Sequence, residues 1–62
     1  MNKVEETRIK RGMTRRKLSD LTALSEDSIY KIERKNQIVK IPTALVLSKV
    51  LGCTVEELFD ND

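Results

Sequence analysis

Apolar side chains along this chain recur at three- and four-residue intervals and never alternate with polar ones over several positions, so the pattern predicts helices and no strands. A first helix is expected over residues 2–11, stopped by Gly12. Its apolar face is thin: Val4 lines up with Thr7 and Arg8 while Ile9 points elsewhere, which puts Arg8 on the inward stripe. Thr14 has the chemistry of an N-cap for a second helix over 15–22, with Leu18 and Leu21 as its buried side. Ala23 and Leu24 make a short connection, and Ser25 caps a third helix over 26–34. There Ile29 and Ile32 face inward with Glu33 beside them. Residues 35–40 form a loop. A fourth helix starts near Pro42, a residue suited to a first turn, carries Ile41, Ala44, Leu45, Leu47, Ser48 and Leu51 at helical spacing, and ends at Gly52. Thr54 and Glu57 have the spacing of a capping box for a fifth, short helix with Val55, Leu58 and Phe59 as its apolar residues. The expected fold class is all-α, five helices joined by short loops.

Composition narrows what such a bundle does. Sixty-two residues are expected to make a single domain spanning 1–62 with one small core. No apolar run is long enough for a membrane span, and no secretory leader pattern opens the sequence. The single Cys53 has no partner for an internal disulfide, as expected in the cytosol, and its place after Gly52 suits a small buried hydrophobe. With no His and one Cys, the common zinc sets and the usual base for a Ser or Cys nucleophile are missing, so no metal, no cofactor and no enzymatic activity are expected.

The net charge of +2 conceals a polarity. Residues 1–17 carry a net +5, residues 18–49 a net +1 and residues 50–62 a net −4. The second helix opens Thr14-Arg15-Arg16-Lys17, three cations at the end where the helix dipole is already positive. That arrangement suits an external anion such as phosphate. Two short helices joined by a tight turn, with Leu18, Leu24, Ile29 and Ile32 as the apolar positions, have the spacing of a helix-turn-helix.

From Val4 to about Phe59 the chain resembles the Cro and phage-repressor type of helix-turn-helix domain, also called the xenobiotic-response-element type. The matching residues run from Val4 through Thr14, then Leu18-Ser19, Ser25 to Ile29, Ile32-Glu33-Arg34, Leu51-Gly52 and Val55 to Leu58. The resemblance implies a compact, five-helix, lambda-repressor-like domain whose second and third helices form the helix-turn-helix. It implies sequence-specific binding of double-stranded DNA by a small prokaryotic or phage transcription regulator. That regulator is expected to be a repressor, cytoplasmic and nucleoid-associated, working as a homodimer on a palindromic operator with no small-molecule ligand and no membrane partner. Carried over residue by residue, the base-reading candidates are Glu26, Asp27, Ser28, Tyr30 and Lys31. The phosphate candidates are Thr14, Arg15, Arg16, Arg34, Lys35, Asn36, Gln37 and Lys40. Arg8 and Glu33 take the positions of a structural ion pair. The candidate dimer interface is Val55, Glu56, Leu58 and Phe59, with Leu58 inclining inward and Val55 partly exposed.

Several residues depart from the family's pattern. Arg15 stands where Gln is common, Ser19 where Ala is, and Ala23 and Lys35 where Gly is usual, the last two a strain if their φ is positive. Glu26 and Asp27 have two readings. They suit a helix N-terminus, and a carboxylate can accept from cytosine N4, yet both would lie near repelling phosphates. The alternative function is therefore a protein-interaction module on the same fold, an antitoxin or anti-repressor. Two aromatic residues are too few for a base-stacking platform, which weighs against single-stranded and most RNA ligands.

Overall fold

Local grammar starts or stops each helix. In this computed structural model, which describes residues 2–59, the elements are α1 (Val4–Lys10), α2 (Arg15–Thr22), α3 (Glu26–Arg34), α4 (Ile41–Leu51) and α5 (Val55–Phe59). The Thr14 hydroxyl accepts from the Lys17 amide at 3.0 Å and the Ser25 hydroxyl from the Ser28 amide at 3.0 Å. At the start of α5 the capping box is reciprocal: Glu57 N donates to Thr54 Oγ1 and Thr54 N to Glu57 Oε1. Gly12 and Gly52 end α1 and α4 with φ of 72° and 71°. The fold is all-helical among the described residues.

α1 begins later than its periodicity suggests, because tertiary bonds take over its first residues. Lys3 N donates to Leu58 O, tying the start of the chain to α5. Asn2 bridges two helix ends, accepting from Val4 N and donating to Ile32 O near the end of α3.

The core joins all five helices through Val4, Leu18, Ile29, Leu47, Leu51 and Leu58, each fully buried. α2 packs on both α3 and α4, and α1 on α3, α4 and α5. Leu21, expected inside, is 47% exposed, and Thr22 is buried instead. The inward stripe of α2 runs from Leu18 to the position four residues on. Thr22 is tolerated there because its hydroxyl donates to Leu18 O at 2.7 Å and accepts from Leu24 N. On α4 the buried stripe is Ala44, Leu47, Ser48 and Leu51, while Ile41 and Leu45 lie outside it, exposed.

The turn between α2 and α3 places Ala23 in the left-handed region at φ 63°. The corresponding strain after α3 does not fall on Lys35, whose φ is −110°, but on Asn36 at φ 54°, a residue type that tolerates it. Ala23 is exposed and gains nothing from its methyl. Ala23→Gly should therefore stabilise the protein by about 0.5–1 kcal/mol, read as a higher midpoint in urea denaturation.

Candidate nucleic-acid interface

The first turn of α2 holds Arg15, Arg16 and Lys17 and no acidic residue. Arg16 and Lys17 are exposed. Arg15 turns back over the protein: its Nε donates to Glu33 Oε1 at 2.9 Å, its Nη2 to Glu5 Oε2 at 3.4 Å, and its guanidinium lies 5.3 Å from the centre of the Tyr30 ring. The cationic start of α2 and the outward side of α3 therefore meet in one continuous surface.

Beneath that surface Glu33 is a shared anchor. Its side chain is fully buried and takes Arg8 Nε at 2.7 Å and Arg8 Nη2 at 3.3 Å, besides Arg15. Arg8 is 7% exposed, and its remaining nitrogen donates to Met13 O at 2.7 Å. A guanidinium this deep needs both the charge partner and the carbonyl, and it has both. The pair locks α1 to the end of α3 and so fixes the tilt of α3.

The network continues outward through Glu5, a residue whose role sequence reasoning missed. Glu5 Oε2 accepts from Arg34 Nη2 at 2.8 Å and Arg34 Nε at 3.2 Å, as well as from Arg15. The signal available in the sequence was the three-residue step from Glu5 to Arg8 on one helix, which brings them to 3.9 Å. Arg11 was also missed. It caps the end of α4 by donating to Leu51 O and Gly52 O.

On the outward face of α3, Glu26 and Asp27 are exposed in the first turn, and Asp27 pairs with Lys31 at 3.1 Å. Tyr30 is 40% exposed. Ser28 is turned toward the cap, its hydroxyl accepting from Ser25 Oγ at 2.9 Å, and is half-buried. Past α3, Lys35, Asn36, Gln37 and Lys40 are all exposed, and the Lys35 and Gln37 amides both donate to Lys31 O, which folds the loop back against the helix end. Exposed cations thus stand at the start of α2 (Arg16 and Lys17) and at the end of α3 and the loop after it (Arg34, Lys35 and Lys40).

At the far end, Val55 and Phe59 are half-buried and Glu56 is exposed. Leu58 is removed from the set of interface residues: it is fully buried against the core and offers nothing to a partner. In a five-residue helix, one side chain must face in for the helix to hold, and Leu58 is that residue. Val55 and Phe59 instead share an open apolar groove with Ile38 and Ile41, which are 90% and 76% exposed.

The carboxyl of Glu5 lies below its ordinary value near 4.5, chiefly because of the hydrogen bond from Arg34 and against the opposing effect of burial, with the charges of Arg34, Arg15 and Arg8 adding to it. Glu57 is lowered too, first by the Thr54 amide and then by the Thr54 hydroxyl. Both favour the folded state when ionised. Their contribution is whole above the ordinary glutamate value and is lost as the pH falls through the lowered ones. The melting temperature should drop on acidification through this range, and Glu5→Gln should flatten part of the drop.

No match was found among curated proteins. The model of the Cro/C1-type helix-turn-helix DNA-binding domain matches residues 3–61. With that match over nearly its whole length, and with α2 and α3 set as a helix-turn-helix, the chain belongs to the Cro/C1-type helix-turn-helix DNA-binding domain family.

Proposed function

We propose that the protein binds double-stranded DNA sequence-specifically as a repressor, docking as a homodimer on a palindromic operator with α3 in the major groove. The observation that carries this reading is the contact of Arg15 with Tyr30 and Glu33, which puts the cationic start of α2 beside the outward face of α3. Thr14, Arg15 and Arg16 at the start of α2, and Arg34, Lys35, Asn36, Gln37 and Lys40 at the end of α3 and in the loop after it, hold phosphates. Tyr30, Lys31, Asp27 and Glu26 on the outward side of α3 face base edges, with Ser28 at the margin. Repression is steric, by covering the operator.

A second copy of the chain covers the groove of Ile38, Ile41, Val55 and Phe59. The groove adjoins the loop that carries Asn36 and Gln37, so pairing there sets two α3 helices side by side for two half-sites. Binding to a duplex selected from a random pool should weaken steeply with added salt. Lys35→Ala should lower affinity for all duplexes alike and reduce the salt slope by about one, while Lys31→Ala should act mainly at the preferred site. An unsymmetrical consensus, or a duplex ignored at low salt, overturns the reading.

The exposed carboxylates of Glu26 and Asp27 favour a second reading, a protein-interaction module such as an antitoxin or anti-repressor. Absence of duplex binding at low salt by the folded protein selects it.

A further inference from the structure

Glu5 occupies an unusual place for an acid in a nucleic-acid interface. It stands between Arg15 at the start of α2 and Arg34 at the end of α3, and a single oxygen, Oε2, serves both. Arg15 does not need it for position, since Glu33 holds its Nε at 2.9 Å and the Tyr30 ring lies under its guanidinium. Arg34 is different. It is 56% exposed at the side chain, and Glu5 is its ion-pair partner among the described residues, taking two of its N–H groups. An anionic oxygen on a guanidinium edge is also what a phosphate presents. The carboxylate therefore fills on Arg34 the place a phosphate would take, and its charge repels a phosphate arriving at either arginine.

Resting on the DNA-binding reading above, we propose that Glu5 is an internal phosphate mimic that competes with the DNA backbone for Arg34 and Arg15, and so limits the protein's sequence-independent hold on a duplex. Binding exchanges the Arg34–Glu5 pair for an Arg34–phosphate pair, and Glu5 is left facing Arg15 and Arg8. The competition acts on backbone contacts and carries no base preference, so it lowers affinity for operator and random duplex alike. It is electrostatic and near the surface, so it fades as salt rises.

The test is duplex binding by fluorescence anisotropy, with operator and random duplexes over a range of salt. Glu5→Gln keeps the size of the side chain and removes its charge. It should bind both duplexes about fivefold tighter at low salt, with a salt slope steeper by about one. Glu5→Ala should reproduce the gain, which separates loss of charge from any effect of the new amide. In an Arg34→Ala background the gain should shrink to less than half, because the competed cation is gone. If the wild type binds and Glu5→Gln binds equally or more weakly, Glu5 is not a competitor and the proposal falls while the DNA-binding reading stands. A gain undiminished by Arg34→Ala overturns it as well. If neither protein binds any duplex at low salt, both readings fall together.

Discussion

Glu33→Ala is expected to leave most of the protein unfolded at room temperature. The Glu33 side chain is fully buried and faces two guanidinia, Arg8 Nε at 2.7 Å and Arg15 Nε at 2.9 Å. Removing it strands Arg8, which is 7% exposed and keeps only the Met13 carbonyl and a distant Glu5 carboxylate as partners. Breaking a buried pair from one side costs about 3–5 kcal/mol. A core of this size supplies roughly 3–5 kcal/mol in all, so the loss consumes the margin. Arg15→Ala should cost much less, because Arg15 is 31% exposed at its side chain and Arg8 still neutralises Glu33. Replacing both buried partners with apolar residues, Arg8→Met with Glu33→Leu, should recover much of the stability lost in Glu33→Ala, since no buried charge is left behind. Far-ultraviolet circular dichroism melts decide the matter. A Glu33→Ala protein melting within a few degrees of the wild type would mean that Arg8 finds water or a substitute acceptor.

The same pair shows how far a sequence carries. Arg8 and Glu33 were placed inward by helical period alone, because each falls on the stripe of its helix marked by Val4 or by Ile29 and Ile32. Caps were legible for a similar reason: Thr14, Ser25 and the Thr54–Glu57 box act on backbone amides three residues away, and that distance is set within the helix. What was not legible depends on how helices meet. Leu21 and Thr22 are adjacent candidates for one inward slot, and the choice falls to Thr22 only because α3 and α4 approach from that side and Leu18 O accepts its hydroxyl. Arg15 looks from sequence like a free cation, yet two carboxylates on other helices draw it in. Glu5 counted only as charge until Arg34, distant in sequence, was brought to 2.8 Å from it. The positive φ after α3 fell on Asn36 rather than Lys35, a shift of one residue set by the loop folding onto Lys31 O.

Leu58→Ala should be the second most damaging of these substitutions, and it should act on the fold and not on assembly. Leu58 is fully buried, and α5 is five residues long, too short to persist without the side chain that pins it. Truncation leaves a cavity and should cost about 3 kcal/mol. For a domain of this length that corresponds to a fall in melting temperature of roughly 15–20 °C. The loss should extend to the start of the chain, because Lys3 N donates to Leu58 O and a frayed α5 releases that bond. The drop should be the same at every protein concentration, as expected for a core residue. Ile41→Glu offers the opposite signature. Ile41 is 76% exposed beside Val55 and Phe59, so a charge there should leave the melting temperature of the isolated chain within a few degrees while abolishing dimers in sedimentation equilibrium. A concentration-dependent stability loss in Leu58→Ala would return Leu58 to the interface. A dimer that survives Ile41→Glu would place the contact away from the Ile38–Ile41 groove.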